Sequence, residues 1–108
     1  MSEEMYKYLN MAKDLLFSSA NRKLDGGIML SDFSETIRTQ RVNALKMADN
    51  LEDALKDPDA LKSEDISSLI RNLHYTLENS YSLFTEDDYK VRDEILFCMP
   101  EIEDDLTK

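Results

Sequence analysis

Apolar residues recur along this chain at intervals of three and four, in four separate runs, and almost never alternate singly with polar ones. In the first run Met5, Leu9, Ala12, Leu16 and Ala20 share a helical face, flanked by Tyr8 and Leu15. A helix from about Ser2 to Ala20 is expected, with Ser2 as N-cap and Glu3 and Glu4 in the first turn. Tyr6, Phe17 and Leu24 make a neighbouring strip, which predicts a second packing partner for this helix. The second run opens at Ser31 or Asp32 and extends to about Lys56. Leu30 leads into it, and Phe33, Ile37, Ala44, Ala48, Leu51 and Leu55 fall on one face. The two central alanines permit close approach of another helix.

Asp57-Pro58 stops the second helix, because proline disfavours helical geometry at the residue before it. A single turn at Pro58–Leu61, capped by Asp57, is expected there. The third run starts near Ser63 with Glu64 and Asp65 in its first turn, and Ile66, Ile70, Leu73, Leu77, Tyr81 and Phe84 form its stripe. The fourth begins at Thr85, with Asp88 three positions on in the place of a capping box, where Glu or Gln is usual. Tyr89, Ile95, Leu96 and Met99 follow, and Pro100 is expected to interrupt the helix. The pattern predicts an all-α fold, a small bundle of about four helices spanning 1–100, with 101–108 as a frayed acidic tail. The alternative is three long helices, the third continuing into the fourth.

Composition agrees with this reading. β-branched residues are scarce, Leu, Met, Ala, Glu and Lys are plentiful, and Gly and Pro occur only at 26, 27, 58 and 100. A chain of 108 residues is one domain, large enough to bury a core without staples. The acidic start MSEEMYKYLN does not resemble a secretory signal, and no stretch approaches the length of an apolar membrane span. One cysteine, Cys98, cannot form an internal disulfide, so a reducing, cytoplasmic compartment is expected.

Charge changes the picture more than composition does. The net charge is −10. Residues 1–54 hold nine acids and seven bases, whereas 55–108 hold fourteen acids and six bases. Such a surface repels phosphate backbones, so direct nucleic-acid binding is not expected. It attracts basic protein surfaces and speeds encounter with them. Acidity that serves only solubility is the plainer account.

The glycines lie together in GGIMLSDFSETIR, residues 26–38. A phosphate-cradling loop needs glycines at set offsets after a strand, or a lysine before Ser/Thr. Here the glycines are adjacent, and Asp25 and Asp32 flank them, so a hinge closing one helix before Ser31 or Asp32 caps the next is expected. Ile28, Met29 and Leu30 are expected to close the end of the core.

His74 is the only histidine, with Arg71 one turn earlier. No nucleophile and orienting group accompany them, so they read as boundary residues rather than a hydrolase or nuclease pair. The apolar surroundings of Cys98 in EILFCMP dull a thiol, and no Cys/His set suits zinc. The acid runs TEDDY and EIEDD lack the spacing and glycine of a calcium loop. No catalytic residue, cofactor or metal is therefore expected. Arg38 and Arg41 lie in the least acidic part of the chain and are expected to pair with acids such as Glu35.

Several apolar residues fall off the main stripes: Tyr6, Phe17, Val42, Tyr75, Phe97 and Cys98. They serve either two-sided helix packing or a partner surface, and the spacing leaves both open. The function expected is a small, acidic, non-enzymatic protein-binding module: an adaptor, inhibitor, chaperone or immunity-type factor. It is steered to a basic protein surface and anchored by Tyr81, Tyr89, Tyr75 and Phe97, with Glu86, Asp87 and Asp88 beside them. No direct nucleic-acid or membrane partner is expected, and homodimer formation is compatible with the same surface. The alternative is a nucleic-acid mimic that occupies the phosphate groove of a DNA- or RNA-handling protein.

Overall fold

The computed structural model describes the backbone of residues 3–21 and 31–107, and side chains over 3–21 and 35–98. Four α-helices follow in order: α1, Glu3–Asn21; α2, Ser31–Lys56; α3, Ser63–Glu78; and α4, Glu86–Thr107. Short 3-10 turns at Pro58–Ala60 and Tyr81–Leu83 precede α3 and α4. No strand occurs among the described residues. The protein is thus the small all-α bundle that the periodicity predicts. Both α1 and α3 pack against α2 and α4, so each helix has two neighbours around one core.

That core is built from the predicted stripes. Met5, Leu9, Ala12, Leu16 and Ala20 of α1 are all buried, as are Ala44, Ala48, Leu51 and Leu55 of α2 and Ile66, Ile70, Leu73 and Leu77 of α3. Ile95 closes the core from α4. Each fully buried Leu or Ile contributes about 1.5–3 kcal/mol relative to exposure. The α1 helix meets two helices, but not through the strip expected. Tyr6 and Phe17 are exposed, Leu24 lies outside the described residues, and the half-buried Tyr8 reaches Cys98 of α4 instead.

The three-helix alternative fails at Asn79 and Ser80. Asn79 Nδ2 donates to the Tyr75 carbonyl at 2.8 Å, and Ser80 Oγ donates to the Thr76 carbonyl at 2.6 Å. These side chains engage the last helical carbonyls, and α3 stops at Glu78. The helical phase is lost there, which corrects the expected place of Tyr81 on the core stripe. Tyr81 is exposed in the 3-10 turn, while Ser80, Leu83 and Phe84 are buried around it. The chain then restarts through a reciprocal capping box. The Thr85 N–H donates to the Asp88 carboxylate at 3.0 Å, and the Asp88 N–H donates to Thr85 Oγ1 at 3.2 Å. The shorter Asp fills the position usual for Glu.

Two further expectations need revision. Asp57 stands before the Pro58 turn but makes no capping bond with its side chain. The turn is held by backbone bonds instead, with the Ala60 N–H donating to the Asp57 carbonyl. The α3 helix begins at Ser63 with Glu64 and Asp65 in its first turn, as expected, and is closed from Lys62, whose N–H donates to the Asp65 carboxylate at 3.3 Å. The α4 backbone remains helical past Pro100 to Thr107, rather than breaking at the proline. An interior proline removes its own N–H donor and its ring crowds the carbonyl four residues earlier, at a cost of about 3 kcal/mol, which a helix can carry where its other turns are kept. The Ser2 cap, the Gly26–Gly27 hinge, the Ile28–Leu30 plug and the side chains of Phe33 and Met99 lie outside the described residues.

Candidate functional site

Two regions carry the residues singled out from sequence. The first is the turn into α4. Here Tyr89 is half-buried and fully engaged: its hydroxyl donates to the Tyr81 carbonyl at 2.8 Å. Its ring meets Phe84 edge-on, with centroids 5.7 Å apart. The Arg92 guanidinium lies over its other side, 4.8 Å from the ring centroid, and pairs with Asp93 at 2.9 Å. Tyr89 therefore braces the turn from within the molecule. Asp88 is committed to the capping box. Glu86 and Asp87 are exposed on the first turn of α4, where the helix dipole favours them, and Asp87 has Lys90 at 4.0 Å.

The second region is an open groove between α2 and α3, which run antiparallel. It consists of two adjoining cavities of about 270 and 370 Å³ that share Asn43, Tyr75 and Asn79. Tyr75 is 67% exposed on its border, and Tyr81, 52% exposed, stands at one end. Buried Gln40 lies beneath, its Oε1 accepting the Ser82 N–H at 2.8 Å. That bond ties α2 to the turn bearing Tyr81.

The groove thus brings Tyr75 and Tyr81 together, with Glu86 and Asp87 just past the Tyr81 turn. Phe97 is not part of it. It stands 82% exposed on α4, opposite the face that buries Ile95. Val42 is exposed on α2 and also lines neither cavity.

Sequence reasoning missed the walls of the groove. Asn43, Asn50, Asn72 and Asn79 all line it. The chain has six asparagines, and these four are the ones spaced seven apart in pairs, one pair two turns apart on α2 and the other running from α3 to its C-cap. That spacing was the available signal. Fourteen side chains line the two cavities and only Glu35 and Lys46 are charged, in a chain one-third charged.

The remaining candidates are dispersed. His74 Nε2 lies 2.9 Å from Glu78 Oε1 on the exposed face of α3, one turn apart. Arg71 is exposed and forms no site with them. Arg38 and Arg41 form no ion pair with a described residue, Glu35 included, and the buried Arg41 Nε has no hydrogen-bond partner among the described residues. The hydrogen bond to Cys98 and then burial push the Tyr8 hydroxyl up from its ordinary 10.0 to about 12. Among the described residues no group of three or more His, Cys, Asp and Glu could hold a metal ion. Among them, too, no helix is long and apolar enough to cross a membrane. No family model matches the chain, and neither a curated protein nor a solved structure matches it.

Proposed function

We propose that the protein is a non-enzymatic binding module that docks on a basic surface of another protein. The observation that carries this reading is the placing of exposed Tyr75 and Tyr81 along one groove, in a chain of net charge −10 whose exposed Glu86 and Asp87 follow Tyr81 by a few residues. Tyrosines supply large contact area at low entropic cost, and the carboxylates steer a basic partner toward them. Tyr89, Phe84 and the Thr85–Asp88 box keep the turn rigid, so little ordering cost falls on association.

The test is capture of the partner from host lysate at low and high salt, comparing the wild type with Y75A/Y81A and with E86Q/D87N. A basic protein held by the wild type, released by Y75A/Y81A and captured more slowly by E86Q/D87N is the expected result. Retention that ignores both variants overturns the reading. A captured nucleic-acid-handling protein that is displaced by DNA and lost steeply with salt points instead to nucleic-acid mimicry.

A further inference from the structure

The chemistry of the groove walls points to a narrower ligand. An asparagine side chain offers one acceptor oxygen and two N–H donors, the same kinds of group as a peptide unit. An extended peptide carries unpaired N–H and C=O groups along both edges. Here two rows of amides face each other. All four amides line one cavity, Asn43 and Asn50 from α2 and Asn72 and Asn79 from α3 and the residue that caps it. Within each row the amides are two turns apart, roughly 10 Å at 1.5 Å per residue, the length of about three extended residues.

These amides are exposed, and three of them are unspent: Asn43, Asn50 and Asn72 make no side-chain hydrogen bond to a described residue. Asn79 uses only its Nδ2, on Tyr75, and keeps its oxygen. Asparagine is a weak helix former, and three of the four stand inside helices where Ala, Glu or Lys would be more stable. The groove offers a phosphate or carboxylate a single cation, Lys46, offset by Glu35, and the net charge repels both. Glu35 at the Tyr81 end favours a positive side chain there, whereas Lys46 lines the cavity bounded by Asn50 and Asn72.

We propose that the groove between α2 and α3 binds a short extended peptide segment with a basic residue at the end that lies by Glu35, its main chain held by the side-chain amides of Asn43, Asn50, Asn72 and Asn79. Tyr75 and Tyr81 cover the segment's side chains from the rim. This rests on the protein-binding reading above and assigns it a site. From Thr36 to Asn50 the wall is on the order of 20 Å long, enough for about six extended residues.

Main-chain recognition tolerates side-chain variety, so a pooled probe is suitable. The probe is a mixture of acetylated, amidated hexapeptides with Lys first, Arg last and random residues between, titrated into the isotopically labelled full chain. Side-chain NH2 signals of Asn43, Asn50 and Asn72 are followed by NMR. They are expected to shift, and the same mixture with N-methylated backbone is expected to leave them still. In N43A/N72A the titration midpoint moves up by about tenfold or more, in line with the loss of two hydrogen-bonding groups. Its thermal melt stays equal or rises, because alanine is the better helix former.

Shifts confined to residues 86–89 that survive N43A/N72A overturn the groove and leave the broader reading standing. No shift anywhere with the basic pool, alongside a partner captured through Tyr75 and Tyr81, overturns the peptide site alone. Shifts of the three amides by oligothymidylate or cellohexaose, and not by the peptides, overturn it in favour of those ligands.

Discussion

Gln40 on α2 and Ser82 in the turn before α4 are joined by a 2.8 Å hydrogen bond across 42 positions of sequence. Gln40 is buried, and its side-chain oxygen is the partner given to an N–H that the 3-10 turn leaves free. Replacing it by Ala strands that N–H. Q40A is expected to lose about 1–3 kcal/mol in urea unfolding. Exposed neighbour T39A is expected to stay within about 0.5 kcal/mol of wild type. Equal midpoints for the two variants refute the role given to Gln40.

The restart of the chain at α4 depends on two side chains acting as one unit. T85A and D88A are each expected to cost about 0.5–2 kcal/mol, measured by chemical denaturation. The double variant is expected to cost clearly less than the sum, since either change breaks the reciprocal pair. Strict additivity in that cycle excludes the box.

Leu73 is fully buried on α3, in the core shared by all four helices. L73A is expected to cost about 2–5 kcal/mol, whereas Y75A, two positions away and exposed, stays near wild type. Thermal melts of the pair test which face of α3 is the core.

The Tyr8 hydroxyl, bonded to Cys98 and raised to about 12, makes a prediction about alkali. The folded state holds this proton more tightly than the unfolded chain, whose tyrosine titrates near 10.0. The corresponding stability is fully present below pH 10 and is lost as pH rises through about 12. Tyrosinate absorbance is expected to show one late-titrating group, which moves back toward the ordinary value in C98A. If C98A leaves the late group unmoved, the thiol is not its cause.

The helices themselves were legible in the chain because their signals are local. Met5, Leu9, Ala12, Leu16 and Ala20 read as a face from spacing alone, since a 3.6-residue period needs nothing beyond the helix that carries it. The Thr85–Asp88 box was legible for the same reason. The phase of Tyr81 was not. Extending the stripe past Leu77 assumed that the helix went on, whereas Asn79 and Ser80 turned their side chains onto its last carbonyls. Tyr89 read as a surface anchor because its type and exposed neighbours suggest one, but the turn folded back and took its hydroxyl.

The groove belongs to a different level of organisation. Pairs of asparagines two turns apart are visible on α2 and on α3, but a pair on one helix is only a polar face. The wall becomes a site when a second wall stands opposite, as α3 does across the cavity that all four asparagines line, with Gln40 tying α2 to the turn beyond α3. Periodicity decides which side of each helix is buried, because burial is a property of the residue and its helical phase. Which exposed faces confront one another depends on the antiparallel packing of α2 and α3, and no local pattern encodes that distance.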